Sequence, residues 1–235
     1  MPKVERIKLY HYPATRSARV KWILHEILDE DFDVERVDLY KGEQYEAPFL
    51  TKNPNHGVPT LELTLEDGTT MHMIESGAMI ALLADAFPQA KLAPPADSLS
   101  SERADYLQML HFGSTCMDMM LWQIRVHEHL LTDEQRDLRT LARYRNKFKE
   151  EVEPRLETRL ATTPYICGAQ FSAADCMVGH SVLWGRAYGM CEPQIFADYA
   201  GRLMARPAFQ KAFADLHEFK PEVEKDSPIL GRFTG

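Results

Sequence analysis

Apolar and polar positions follow two different periods in this 235-residue chain, with the change near Ala86. Ile7-Lys8-Leu9-Tyr10-His11-Tyr12 alternates as a strand does, and Pro13 ends it. Ala14-Thr15-Arg16-Ser17 is a small polar turn. Val20, Ile23, Leu24, Ile27 and Leu28 then recur at helical spacing and mark one buried face. Asp33 to Leu39 supplies a second strand, and Lys41-Gly42-Glu43-Gln44 opens an irregular segment that reaches Asn53. Thr60-Leu61-Glu62-Leu63 alternates again, and Asp67-Gly68 turns the chain into a hairpin partner at Thr70-Met71-His72-Met73-Ile74. Glu75-Ser76-Gly77-Ala78 begins a helix with an acid and a hydroxyl, where backbone N–H groups point outward unpaired. The predicted order is β-α-β, a loop with a short helix, then β-β-α.

Phe87 to Ser100 carries Pro88, Pro94 and Pro95 without periodicity and reads as a linker. The rest reads as helical. Ser101 to Leu131 is long, with Leu107, Leu110, Met117, Leu121 and Ile124 as core positions. Thr132-Asp133-Glu134-Gln135 has the form of a capping box for a next helix carrying Leu138, Leu141, Phe148, Val152, Leu156 and Leu160. Pro154 should kink or break that helix. Ser172-Ala173-Ala174-Asp175 is a second capping box, and the segment after it, to about Tyr188, is apolar nearly all round, as a buried helix should be. Pro193 to Met204 and Pro207 to His217 complete the helices. From Glu218 to Gly235 the chain becomes a polar tail that wraps the surface or partly covers a cleft. The domains expected are therefore 1–86, a linker 87–100, a helical domain 101–217 and a tail 218–235.

Composition narrows the function. Hydrophobic content of 45% and charged content of 26% describe an ordinary soluble domain. A net charge of −8 argues against nucleic acid as a partner. No apolar run approaches the ~18 residues of a membrane span, and the N-terminus lacks a signal-peptide core. A cytoplasmic location without membrane partners is the expectation. Cys116, Cys167, Cys176 and Cys191 show no metal-ligand spacing, and His127 and His129, two apart on a helix, face different directions, so no metal is expected.

The stretch Asn53 to Ile80 concentrates the chemistry. Val58-Pro59 stands at the mouth of a strand, where a missing ladder donor is tolerated and a cis bond costs little. Strand mouth and helix N-terminus together can hold an extended peptide, main chain beside Pro59 and a carboxylate at the helix end. Asn53-Pro54-Asn55-His56-Gly57-Val58-Pro59-Thr60-Leu61, followed by Glu75-Ser76-Gly77-Ala78-Met79-Ile80, resembles the glutathione-binding half of the glutathione S-transferase family, in a bacterial-like form with delta- and zeta-like N-terminal motifs.

The resemblance implies an α/β thioredoxin-like N-terminal domain followed by an all-α helical bundle, with glutathione as co-substrate, a homodimeric assembly and a role in detoxification. It implies that Val58 offers its backbone to the cysteinyl part of glutathione and that Glu75 and Ser76 take the γ-glutamyl end. It also implies that Gln44 and His56 meet polar groups of the tripeptide, and that Pro59 shapes the loop. A free thiol has a pKa of about 8.5, and lowering it by ~2 units takes about 2.7 kcal/mol of preferential interaction with the anion. A hydroxyl donor at a helix N-terminus is of that size. The family keeps the donor in the first strand–helix turn, where Thr15 aligns with the family serine and Ser17 and Tyr12 are the alternatives.

A small, mostly apolar electrophile is the implied second substrate, with Met117, Met120, Trp184 and Tyr188 as its contacts, although a methionine stripe is as often core. The function expected is a glutathione transferase. The alternatives are a glutathione-dependent disulfide reductase or peroxidase, and a non-catalytic binding module of the same fold.

Overall fold

Four strands form a mixed sheet in the order β2-β1-β3-β4, built from β1 (Val4–His11), β2 (Asp33–Arg36), β3 (Thr60–Leu65) and β4 (Thr70–Met73). This is a computed structural model, and it describes residues 3–97, 99–224 and 227–229. Met1, Pro2, Ser98 of the expected linker, and Lys225, Asp226 and 230–235 of the expected tail lie outside them. β1 runs parallel to β2 and antiparallel to β3, and β3 runs antiparallel to β4. The β1–β2 crossover is α1 (Arg16–Leu28), α2 (Ala47–Leu50) follows β2, and α3 (Ser76–Ala86) follows the hairpin.

Register sorts the side chains by face. Leu9 pairs with Leu61 and Ile7 with Leu63, so all four share one face, and all are buried. In α1, Val20, Ile23 and Leu24 are buried as the spacing requires, and Trp22 joins them. Lys8, Tyr10, Glu62 and His72 line the other face, where the Tyr10 hydroxyl donates to Glu62 at 2.8 Å and Phe49 of α2 meets Tyr10 edge-on. The second strand is shorter than expected and ends at Arg36.

The chain divides into two compact units: Met1–Leu83 with Ala208–Gly235, and Ala84–Pro207. This differs from the expected boundaries, because α10 (Pro207–Ala212) joins the first unit from Ala208 onward rather than the helical one. Aromatic packing accounts for it: Phe209 and Phe213, stacked on one another, both stand edge-on to Trp22.

The second unit is helical. α4 (Ser101–Phe112) and α5 (Asp118–Arg125) are joined by a π turn over Gly113–Met117, and a second π turn, Val126–Leu130, extends them. α6 (Leu138–Lys147) leads through a third π turn, Phe148–Val152, into α7 (Glu153–Leu160), so the interruption falls just before Pro154. Thr132–Gln135 does not cap α6. It forms a turn of its own, and Asp137 caps the helix by accepting from the Arg139 amide at 3.0 Å. Leu138, expected in the core, is therefore exposed at the helix start.

α8 (Ala173–Ala187) is buried along its first ten residues, and α9 (Gln194–Met204) packs beside it. Asp175 reaches back to the Ser172 amide at 2.9 Å and also accepts from the Ile166 amide and the Tyr199 hydroxyl. Fully buried, and bonded by the Ser172 hydroxyl as well, it serves the fold. A Cβ on Gly113 would come within 2.5 Å of Met177, so the first π turn approaches α8 closely.

Candidate active site

The loop between β1 and α1 brings three hydroxyl-bearing side chains together. Pro13 cannot continue the strand, Ala14 takes a left-handed conformation (φ 56°), and Thr15 becomes the N-cap of α1. The Thr15 hydroxyl lies 2.8 Å from both the Tyr12 carbonyl and the Ser17 hydroxyl. Ser17 is wholly buried, with its Oγ 2.7 Å from His11 Nδ1 and accepting from the Tyr12 amide at 3.1 Å. Tyr12 is also buried, its ring under the Arg36 guanidinium and edge-on to Tyr40, and burial with its acidic and phenolic neighbours raises its phenol to about 12.

Accessibility therefore separates the three candidates. Thr15 alone is only half-buried, and it sits at the positive end of a 13-residue helix whose first turn carries no acid. Ser17 stands behind it as its hydrogen-bond partner.

Asn53 organises the second loop. Its amide donates to the Gly57 carbonyl (2.7 Å) and the Thr60 hydroxyl (3.1 Å), and its carbonyl oxygen accepts from the Asn55 amide (2.9 Å). Its role was missed in the sequence, although an Asx turn opening a Pro/Asn/Gly loop was the available signal. The Val58–Pro59 bond is cis, as its position led us to expect. β3 begins at Thr60, so Val58 lies just outside the ladder while its side chain packs on the Tyr10–Val37–Phe49 cluster. His56 is exposed at φ 44° with its ring 4.7 Å from that of Tyr45. Gln44 differs from expectation. Its side chain is buried and gives its amide to the Leu39 carbonyl at 3.1 Å, because the turn it occupies folds it inward.

Glu75 ends the hairpin in the left-handed region (φ 73°), exposed, and its carbonyl accepts from the Met79 amide. Ser76 follows as the first residue of α3, nearly buried, and accepts from Arg19 Nε at 3.0 Å. Arg19 was not singled out from the sequence, since a cation on the buried side of an amphipathic helix has no local signature. Through this bond the starts of α1 and α3 are joined, so Thr15, Ser76 and Glu75 belong to one region of the first unit.

Of the side chains proposed for the second substrate, Met117 and Met120 are core residues of the helical unit. Trp184 and Tyr188 are half-buried and stand edge-on to one another. The Tyr188 hydroxyl accepts from Arg125 at 3.1 Å. Burial raises the Cys167 thiol to about 12 and pushes Cys191 up as well, which makes both poor nucleophiles. Among the described residues no helix is long and apolar enough to cross a membrane.

Residues 5–84 match the family model described as the glutathione S-transferase N-terminal domain. Over that stretch the chain is similar to the glutathione S-transferase family. Over 174 residues, 72% of this chain and 75% of the relative, it is 28% identical to the disulfide-bond oxidoreductase YfcG of Escherichia coli K12. It is 27% identical to the glutathione S-transferase GstA of Escherichia coli O157:H7, over 88% of this chain and 98% of that protein. A sphingomonad glutathione S-transferase complexed with glutathione superposes with a TM-score of 0.74 at 26% identity, covering 89% of this chain and 98% of that one. The thioredoxin-like sheet followed by a helical unit is the fold of this family.

Proposed function

We propose that this chain is a glutathione transferase. It binds glutathione in its first unit, holds the sulfur as thiolate and adds it to small, mostly apolar electrophiles. The observation that carries the reading is the position of Thr15: a half-buried hydroxyl at a helix N-terminus, in the same region as the Ser76–Arg19 pair and Glu75. Glutathione is assigned to the main chain beside Val58, with its γ-glutamyl carboxylate at Ser76 and its ammonium at Glu75. His56 is assigned to its glycine carboxylate. Because Arg19 occupies a lone pair of Ser76, the serine O–H is left to donate to that carboxylate. The thiolate gains from the Thr15 donor and from the helix dipole.

Calorimetric titration with glutathione, followed by ultraviolet titration of the bound thiol, tests this directly. Binding with a thiol pKa well below the free value is the result expected. Absence of binding, or a bound thiol of ordinary pKa, would overturn it.

A glutathione-dependent disulfide reductase is the second reading, favoured by the Escherichia coli disulfide-bond oxidoreductase among the relatives. No cysteine precedes Cys116 in the sequence, so that chemistry would also use the sulfur of glutathione rather than a thiol of the first unit. Comparing turnover of a small disulfide with that of a halogenated aromatic separates the two. We assign a homodimer with the long helices of 101–160 in its interface.

A further inference from the structure

Behind Thr15, a line of polar side chains runs into the interior of the first unit. Thr15 Oγ1 is 2.8 Å from Ser17 Oγ, Ser17 Oγ is 2.7 Å from His11 Nδ1, and His11 Nε2 is 3.0 Å from Asp215 Oδ2. Lys21 Nζ reaches the same carboxylate oxygen at 2.6 Å. Ser17 and His11 are buried. The three segments are remote in sequence: His11 ends β1, Ser17 lies in the first turn of α1, and Asp215 follows α10. The glutathione chemistry above requires only the first member of the line.

Proton positions follow from the partners. Burial raises the Asp215 carboxyl, but the bonds from His11 and Lys21 outweigh it and hold the group down at about 2. An ionised carboxylate only accepts, so the hydrogen of the ring sits on Nε2. Burial, aided by the charges of Lys21 and Arg36 and opposed by Asp215, holds His11 below its ordinary range, and the ring is neutral. Arg36 is in turn paired with Glu218. The Nδ1 lone pair therefore faces Ser17, which donates its O–H to it. Ser17 Oγ is then left to accept from the Tyr12 amide and from Thr15, whose one hydrogen is shared between Ser17 Oγ and the Tyr12 carbonyl, each at 2.8 Å.

We propose that His11 takes up the thiol proton of glutathione bound at Thr15, through the hydroxyls of Thr15 and Ser17, and that Asp215 holds the resulting imidazolium. The inference rests on the glutathione reading given above. The S–H bond breaks and sulfur keeps the electron pair. Its proton passes to Thr15 Oγ1 as the proton of Thr15 passes to Ser17 Oγ and that of Ser17 to His11 Nδ1. Each hydroxyl ends with one hydrogen, one proton has moved from sulfur to the ring, and no oxidant or reductant enters. Afterwards the donors all point outward, His11 to Ser17, Ser17 to Thr15 and Thr15 to the thiolate. The sulfur's negative charge and Asp215 favour the charged ring, while Lys21 and Arg36 oppose it, so thiol and imidazole titrate as a coupled pair. His11 acts through the hydroxyls and is a positioning residue.

The test is ¹⁵N NMR of the histidine side chains in the whole protein at neutral pH: free, with glutathione, and with S-methylglutathione, which has no thiol proton. Both ligands should bind, and only glutathione should protonate Nδ1 of His11. If both bind and His11 stays neutral with glutathione, or becomes charged with both, the relay is overturned while the glutathione reading stands. If neither binds, both fall. Asp215→Asn gives a second readout, since it keeps an acceptor for Nε2–H and removes the charge. The ratio of bound thiolate to thiol near neutral pH should drop about tenfold, the equivalent of one pKa unit, with glutathione affinity falling by less than that factor. An unchanged ratio would also overturn the relay.

Discussion

Arg19 Nε donates to the Ser76 hydroxyl at 3.0 Å, between the first turns of two helices 57 residues apart, and both side chains are buried. A buried guanidinium is costly unless bonded. Here it places positive charge behind the N-terminus of α3, where we propose that the γ-glutamyl carboxylate of glutathione binds. Arg19→Ala should destabilise the fold by about 2–3 kcal/mol, since a buried charged partner is lost. Glutathione affinity should fall with it. Denaturant unfolding and calorimetry measure the two, and unchanged affinity in a folded variant would detach Arg19 from the binding site.

Glu75 separates stability from binding. Its left-handed backbone (φ 73°) costs a residue with a Cβ roughly 1–2 kcal/mol, which glycine avoids. Glu75→Gly should therefore raise stability by up to about 1 kcal/mol while weakening glutathione binding by about 2 kcal/mol, the worth of a charged partner to the ligand's ammonium. Glu75→Ala should weaken binding equally and gain no stability. Equal affinity in all three proteins would place the ammonium elsewhere.

Three substitutions resolve the hydroxyl pair. Thr15→Ala should return the bound thiol's pKa towards the free value, slow turnover and cost about 1 kcal/mol of helix capping. Thr15→Ser should keep most activity, since only a methyl group is lost. Ser17→Ala removes a buried partner of His11, Tyr12 and Thr15, and should cost about 1–3 kcal/mol of stability. A normal thiol pKa in Ser17→Ala alone, with Thr15→Ala unaffected, would transfer the donor role to Ser17.

Acid should weaken the first unit through Asp215 and His11. Asp215 is held down at about 2, so its contribution is fully present above the unfolded value of about 3.9 and is lost as pH falls towards 2. Its side chain is partly exposed, and roughly 1–2 kcal/mol is expected after allowing for solvent screening. His11 is lowered by burial, so the unfolded chain binds its proton first and stability already declines as pH drops below about 6.5. Asp215→Asn should flatten the limb below pH 4, which urea midpoints measured across that range will show.

Assembly is checked by light scattering. At micromolar concentration the mass should be twice that of the chain, and a monomer would remove the dimer from the proposal.

Much of the first unit was legible because its causes are local. Alternation at Ile7–Tyr12, the Asp67-Gly68 turn, proline at the mouth of β3 and the Glu75-Ser76 helix start each follow from a few neighbouring residues, and the structure keeps all of them. The same holds for the Ser172–Asp175 box and the break before Pro154. Local form was a weaker guide at Thr132–Gln135, where the capping-box pattern was present but Asp137 took the role of cap. Periodicity placed Met117 and Met120 on a helix without settling whether they faced core or ligand, and burial decided for the core.

What the sequence by itself determined is therefore the set of elements, the resemblance to the glutathione S-transferase family and the loop in which we propose the activating hydroxyl. Only the tertiary structure decided that Ser17 is buried behind Thr15 against His11, that Gln44 turns inward, and that the segment after Pro207 returns to the first unit. It alone placed Asp215 against His11, 204 residues away. The reason is physical: periods and caps record which backbone conformation a residue favours. The partner of a buried polar group is set by where packing brings remote segments together, here Trp22 against Phe209 and Phe213.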